Sequence, residues 1–255
     1  MMQIIDWDNV RAAIWRPKSA RLRPVRRLDT VDLDNLLGID AQKDALVTNT
    51  LSFLEGKPAN NALLWGSRGT GKSSLIKALL NRFGDRGLRI IEIDKDDLVD
   101  LPEIVDGIRD LAQKFILFCD DLSFEEGESG YKHLKSIIEG SIELPPENVL
   151  VYATSNRRHL IPERLSENAD VTIVDGELHY TDAIEEKLSL ADRFGLWLSF
   201  YPFDLQQYFC LVDALFPDCP DREQLHLLAR QFAMTRASRS GRTARQFYLS
   251  MQGLV

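Results

Sequence analysis

The segment LLWGSRGTGKSSLIKALL, residues 63–80, is the most informative part of this chain about its fold. The segment GSRGTGKS inside it fits the spacing G-x-x-x-x-G-K-S of a phosphate-binding loop, at Gly66, Gly71, Lys72 and Ser73. An apolar run precedes the loop and a helical pattern follows it, which is the context that the motif requires. The sequence therefore predicts an α/β domain whose loop holds the phosphates of ATP or GTP.

The residue types of this loop suit the binding of an anion. Glycines let successive backbone N–H groups turn toward a phosphate, and the N-terminus of the following helix adds partial positive charge. Lys72 is expected to reach the β- and γ-phosphates, and the Ser73 hydroxyl is expected to bind Mg²⁺. The predicted nucleotide contacts of the loop are Gly66, Ser67, Arg68, Gly69, Thr70, Gly71, Lys72, Ser73 and Ser74.

A pair of carboxylates, Asp120 and Asp121, ends the apolar run KFILFCDDL at residues 114–122. Ligands of open α/β sheets bind at the carboxyl ends of the strands, so the pair is expected near the phosphates. Asp120 is predicted to hold Mg²⁺ through water, together with Ser73. Asp121 is predicted to orient and polarise an attacking water molecule.

Short apolar runs alternate with amphipathic stretches up to residue 203, which predicts a parallel sheet with helices on both faces. The five predicted strands are 62–65, 88–94, 114–122, 148–156 and 196–203. The predicted helices are 72–83, 100–113 and 130–140, then 204–216, 221–234 and 243–251. The predicted fold is a P-loop NTPase core with a five-stranded parallel sheet and a small C-terminal helical lid.

Charge is unevenly distributed along the 255 residues. The formal net charge is −8, yet residues 9–28 carry seven basic side chains and no acidic one. This segment is interpreted as a basic arm, and three roles stay open: a solvated segment, docking on an acidic protein, or contact with nucleic acid.

No apolar run approaches the ~18 residues that span a bilayer, and the N-terminus has no signal-peptide pattern. The three cysteines are widely spaced and do not indicate a disulfide framework. A cytoplasmic protein that does not enter a membrane is expected.

Beyond the loop and the carboxylates, the order of motifs over residues 36–255 resembles that of the AAA+ ATPases. LLGIDAQKDAL (36–46) resembles the segment that cups adenine in that family, which implies nucleotide contacts by Leu37, Gly38 and Ile39. VYATSNRRHLIP (151–162) resembles the sensor-1 strand, with Asn156 at its polar tip and Thr154 or Ser155 as alternatives.

Two arginines complete the resemblance. LADRFGLWLSFYPF (190–203) resembles the arginine-finger segment, which implies that Arg193 acts on the nucleotide of a neighbouring subunit in a homo-oligomer. SRSGRTARQF (238–247) resembles the sensor-2 helix of the lid, with Arg242 as first choice and Arg245 as second. The implied domains are a basic arm at 1–35, an AAA+ core at 36–203 and a helical lid at 204–255.

The chain also resembles an uncharacterised bacterial ATPase family known only as a domain of unknown function. It departs from the usual AAA+ pattern in having Asp121 where most members have glutamate, and Glu125 and Glu126 are the nearby alternatives. The shorter side chain places the water differently, which favours slow hydrolysis.

The resulting hypothesis is Mg²⁺-dependent ATP hydrolysis by an AAA+ module that remodels or loads a macromolecular client. Asp121, Asn156 and Arg193 would carry the chemistry. One alternative is a loader or adaptor for DNA or protein that uses the nucleotide as a switch and hydrolyses it poorly. Another is a small-molecule kinase, although no acceptor site is evident in the sequence.

Overall fold

Nine strands are present in the computed structural model, which describes residues 5–123, 131–140, 142–157, 160, 172–174, 177–179 and 190–252. They are β1 (Ala12–Arg16), β2 (Arg21–Pro24), β3 (Ala62–Gly66), β4 (Leu88–Glu92), β5 (Lys114–Cys119), β6 (Val149–Ser155), β7 (Thr172–Val174), β8 (Glu177–His179) and β9 (Leu196–Phe200). Seven of them form one sheet in the order β2-β1-β4-β5-β6-β3-β9, and β7 pairs with β8 separately. All pairs in the large sheet are parallel except β1 with β2.

The prediction of five strands was wrong by two, because β1 and β2 extend the sheet beyond β4. Both come from the basic segment 9–28, which the sequence analysis assigned to an arm in front of the core. In β1 the side chains of Ala13 and Trp15 are buried, while Arg16 is exposed. This alternation of buried and exposed side chains is only five residues long and lies among seven basic residues. Because of those charges, the segment was interpreted as a basic arm.

Seven helices accompany the strands within the described ranges. The first four are α1 (Asp40–Leu54), α2 (Lys72–Phe83), α3 (Leu101–Asp106) and α4 (Tyr131–Glu139). The last three are α5 (Leu205–Leu215), α6 (Arg222–Thr235) and α7 (Gly241–Gln252). The helix expected over 100–113 is shorter, since residues 95–100 form a 3-10 turn and the α-helical part ends at Asp106.

The sheet separates two apolar cores. On one face, α1 and α2 bury Leu46, Leu75 and Leu79 against the strands. On the other, Ile104 of α3 and Leu134 of α4 are buried. Every residue of β6 is buried, as expected for a central strand covered on both faces. Helices on both faces leave the carboxyl edge of the sheet as the exposed end of the central strands.

A third apolar core belongs to α5, α6 and α7 alone, and includes Tyr208, Ala229 and Phe247. Helix α5 begins with a capping box, in which the Asp204 side chain accepts from the Gln207 backbone and the Gln207 side chain accepts from the Asp204 backbone. This separate core makes the three C-terminal helices a compact unit after β9. Within the described ranges, no helix combines the length and apolar composition that crossing a membrane requires.

Candidate functional site

Three neighbouring strands bring the candidate site together at the carboxyl edge of the sheet. Strands β5, β6 and β3 are adjacent, and each is followed by a segment that the sequence analysis singled out. The phosphate-binding loop follows β3, Asp120 and Asp121 follow β5, and Asn156 follows β6. Parallel strands end at the same edge, so these segments meet although they lie far apart in the chain.

The loop is tightly joined to the neighbouring strand β9 at its first residues. Gly66 has φ of 129°, and a Cβ atom there would lie 2.0 Å from the carbonyl oxygen of Phe200. The next backbone N–H, that of Ser67, donates to the same oxygen at 2.9 Å. Only glycine fits this approach, because the obstructing atoms belong to the backbone. At the other end of the loop, Gly71 has φ of 101° and α2 starts immediately after it.

Lys72 is 7% exposed and lies inside the curve of the loop. Its Nζ donates to the carbonyl oxygens of Gly66 at 2.7 Å and Ser67 at 2.8 Å, and it lies 3.3 Å from Oδ1 of Asn156. Burial lowers the pKa of Lys72 to about 8, although the nearby charges of Asp120 and Asp121 oppose this shift. The ammonium is therefore held by neutral acceptors that a phosphate oxygen can replace.

Both carboxylates are held by hydroxyl and amide groups. Asp120 Oδ1 accepts from Ser73 Oγ at 2.6 Å and from Thr154 Oγ1 at 2.5 Å. The backbone N–H of Asp121 donates to Thr154 Oγ1 at 2.9 Å, and its carboxylate accepts from Nδ2 of Asn156. Asp121 has a left-handed backbone with φ of 55°, which is unusual for a residue other than glycine.

Thr154 thus connects the Asp120 carboxylate with the Asp121 backbone, and the sequence analysis weighed it only as an alternative to Asn156. It is 2% exposed near the end of β6. The register of β5 and β6 pairs Cys119 with Ala153, so the next residue of each strand, Asp120 and Thr154, lies side by side. The signal that could have found Thr154 is this register, which a sequence without pairing information does not provide.

The segment expected to contact the base lies beside the end of the loop. Gly38, with φ of 74°, approaches the ring of Phe203, and the side chain of Ile39 approaches Gly71. Leu37 is partly buried next to them along the chain. Gln42 of α1 donates to the carbonyl oxygen of Ser199 at 2.8 Å. This segment therefore spans the gap between the loop and the junction of β9 with α5.

The C-terminal helical unit contacts the loop at Gly69. A Cβ atom on Gly69 would lie 2.8 Å from Oγ of Ser240 and 3.2 Å from Cβ of Arg242. Arg242 is exposed, and its positive charge contributes to lowering the pKa of Lys72. Arg245 is exposed, three residues further along α7. The sequence analysis did not include Ser240, which caps the start of α7 by accepting from the N–H of Thr243 at 3.2 Å.

Arg193 is in a different environment from the loop. It precedes β9, is largely buried, and forms an ion pair with Glu139 at the end of α4. The structure therefore brings together the loop, Asp120, Asp121, Asn156 and Arg242, and it engages Arg193 within its own chain. The alternatives Glu125 and Glu126 lie outside the described residues.

Comparisons with known proteins give one family match and several solved structures of similar fold. A family model described as "Protein of unknown function (DUF815)" matches residues 8–255. A search of curated proteins found no match. A single-residue variant of Thermotoga maritima RuvB is 14% identical over 85% of this chain and 70% of that one, with a TM-score of 0.52.

Two further solved structures are similar. A DNA replication initiation factor is 17% identical over 88% of this chain and 65% of that one, with a TM-score of 0.56. The replication initiator DnaA bound to AMPPCP and single-stranded DNA is 18% identical over 88% of this chain and 66% of that one, with a TM-score of 0.57. At these identities the likeness concerns the fold, which is that of AAA+ P-loop ATPases.

Proposed function

Because the chain belongs to the DUF815 family and has the AAA+ P-loop fold, we propose that it binds ATP and hydrolyses it with the help of Mg²⁺. The observation that carries the proposal is the continuous set of hydrogen bonds from Lys72 through Asn156 to Asp121, beside the pair formed by Ser73 and Asp120. A phosphate-binding loop joined to two carboxylates in this way can serve both binding and hydrolysis.

Phosphate binding is the first step. The loop offers backbone N–H groups and the N-terminus of α2, a helix of 12 residues, for the anion. Lys72 would exchange the two carbonyl oxygens that it contacts for oxygens of the β- and γ-phosphates. A charged hydrogen bond of this kind stabilises by about 1.5–3 kcal/mol, more than a neutral one. The exchange therefore favours bound nucleotide over the empty loop.

Ser73 and Asp120 fit the needs of Mg²⁺. Their oxygens converge at 2.6 Å beside the end of the loop, and Mg²⁺ in nucleotide sites prefers a few protein oxygens together with phosphate oxygens and water. Thr154 holds the Asp120 carboxylate in that position. When bound, Mg²⁺ would neutralise developing charge on the phosphates.

Asp121 would act on the attacking water. Its carboxylate is oriented by the Asn156 amide, and its backbone is left-handed. Water would attack the γ-phosphorus, the bond to the β,γ-bridging oxygen would break, and Asp121 would accept the proton that the water loses. ADP and inorganic phosphate leave, and Asp121 returns the proton to solvent.

Two arginines would complete the machinery. Arg242 lies against the loop at Gly69, so its guanidinium can report on bound phosphates from the C-terminal helices. Arg193 would stabilise transition-state charge at the nucleotide of a second copy, which requires that it leave Glu139. ATP would thus be hydrolysed in a homo-oligomer that acts on a macromolecular client.

A nucleotide-driven switch with little hydrolysis is the second candidate. It is favoured by one observation: Asp121 has a shorter side chain than glutamate, and Asn156 already engages its carboxylate. In that function, ATP binding would change the position of the C-terminal helices while the chemical step stays slow.

Release of inorganic phosphate from Mg·ATP, measured together with equilibrium ATP binding, tests both candidates. The parent protein is expected to bind ATP and release phosphate, and Lys72→Ala to do neither. Lys77→Ala is the matched control, because Lys77 lies on the same helix and pairs with Asp29 at the surface. ATP binding without repeated turnover, that is, without release of many phosphates per protein molecule, supports the switch. Parental ATP binding in Lys72→Ala contradicts both candidate functions.

A further inference from the structure

We propose that the hairpin of β1 and β2 binds the phosphodiester backbone of a nucleic acid. The name basic hairpin is used here for residues 12–28. Its exposed cations are Arg16, Lys18, Arg21, Arg23, Arg26 and Arg27. Binding of a nucleic acid to the hairpin does not depend on the proposed ATPase function. The statement that this nucleic acid is also the client of the ATPase rests on that function.

The six cations have no partners within the described part of the chain. No ion pair or hydrogen bond of their side chains is present there, whereas the neighbouring Arg11 is paired with Asp85. Basic side chains elsewhere on the surface compete with an excess of acids, because the chain outside residues 9–28 has 24 basic and 39 acidic residues and a formal charge of −15. The hairpin is therefore a part of the described surface that an extended polyanion can approach favourably.

The pairing of the hairpin places like charges side by side. In the register of β1 and β2, Arg16 lies directly opposite Arg21, and Arg23 lies two residues further along the same face. Like charges directly opposite each other on antiparallel strands are destabilising. An anion that accepts from Arg21 offsets the repulsion between Arg21 and Arg16, and a phosphate offers several oxygens for such a forked donor.

The hairpin fits a nucleic acid better than an acidic protein. The large apolar side chains that are exposed on the described surface lie elsewhere, among them Ile142, Leu144 and Met234. Protein interfaces need an apolar centre, whereas nucleic-acid interfaces are polar and strongly positive. Added strands are also disfavoured at the open edge of β2, since Pro24 lacks an N–H and its neighbours are charged.

A cavity of about 480 Å³ separates the hairpin from the carboxylates of the candidate site. Arg16 and Lys18 line it on one side, and Glu92, Asp94 and Asp120 are among the acids on the other. Acids so close reduce the share of Arg16 and Lys18 in phosphate binding. The contacts are therefore assigned to the four arginines on and after β2, which do not line the cavity.

The test measures fluorescence anisotropy of a labelled single strand, and of its duplex, against the full-length protein at several salt concentrations. Four phosphate contacts to a single strand predict a slope of about −2.8 for log affinity against log salt, and Arg21→Gln with Arg23→Gln halves it. If both lines meet near 1 M salt, the double variant binds about 25-fold more weakly near 0.1 M. The matched control is Arg82→Gln with Arg230→Gln, two arginines on α2 and α6 whose loss changes the net charge equally.

The proposal requires that the control keep the parental slope while the hairpin variant loses half of it. A second variant, Arg26→Gln with Arg27→Gln, changes residues outside both strands. It is expected to halve the salt slope as well, and it replaces the hairpin variant in the test if that variant fails to fold. Absence of binding by the parent at low salt, an equal loss in the control, or equally tight binding of poly-glutamate each overturns it. ATP hydrolysis without nucleic acid stays parental in both hairpin variants, so failure of the ATPase proposal is seen separately.

Discussion

Replacing Thr154 with valine isolates the role of one hydroxyl that binds the Asp120 carboxylate and the Asp121 backbone N–H. The side chain is 2% exposed, and valine keeps its shape while removing the bond to Asp120 and the acceptor for the Asp121 N–H. Each of two hydrogen bonds contributes about 1 kcal/mol, and the one to a carboxylate somewhat more, so the free energy of unfolding is expected to fall by about 2–3 kcal/mol. Release of the Asp120 carboxylate and of the Asp121 backbone should also slow ATP hydrolysis, on the order of 10- to 100-fold, because a displacement of reacting groups by about 1 Å costs up to that much.

Thr50→Val is the matched control for this experiment. Thr50 is fully buried, and its hydroxyl likewise makes two hydrogen bonds, to the Leu46 carbonyl at 2.7 Å and to the Tyr152 hydroxyl at 2.9 Å. Urea unfolding should show a similar loss of stability in both variants. Phosphate release at saturating Mg·ATP should fall in Thr154→Val alone, and a parental rate in that variant would refute the assignment of Thr154 as a positioning residue.

Three other predictions concern the loop, the carboxylates and Arg193. Since burial lowers the pKa of Lys72 to about 8, its ammonium is present below that pH and lost above it. Calorimetry should show ATP affinity falling as pH rises past about 8, with proton uptake on binding, and a flat profile would contradict this. Asp121→Asn should keep ATP binding and slow phosphate release, whereas Asp120→Asn should raise the Mg²⁺ concentration needed for half-maximal release; parental behaviour of both in a Mg²⁺ titration would exclude the carboxylate roles. Arg193→Ala should bind ATP normally, hydrolyse it on the order of 10³-fold more slowly and recover activity when mixed with Lys72→Ala, and Glu139→Gln should instead raise turnover by freeing Arg193; no recovery in verified mixed oligomers would place the action of Arg193 within its own chain.

The parts of the fold that the sequence predicted well are those in which apolar runs are long or a motif fixes the backbone. Strands β3, β5 and β6 are near-continuous apolar runs, and the loop motif fixed the start of α2 at Lys72. The β1–β2 hairpin was missed because its apolar alternation is short and its charges indicate solvent. Strand β1 has only five residues and gains its stability from pairing with β4. The local sequence does not reveal that pairing.

The sequence predicted those residues of the candidate site that directly follow a strand. Asp120, Asp121 and Asn156 meet because parallel strands end at one edge, and a sequence pattern is sufficient for that conclusion. Thr154 and Ser240 were not predictable in the same way. Their contacts, with the carboxylates and with Gly69, depend on strand register and on how the C-terminal helices rest on the loop.

The close approach of β9 to the loop changes how the motif should be read in distant relatives. Gly66 cannot carry a side chain because the Phe200 carbonyl occupies that space, and this constraint exists whether or not a nucleotide binds. A descendant that lost ATP binding would keep this glycine to preserve its sheet, while nothing in the sheet would preserve the ammonium of Lys72. A glycine at the first position of the motif therefore indicates that the fold is kept. A lysine at the seventh position indicates that nucleotide binding is kept.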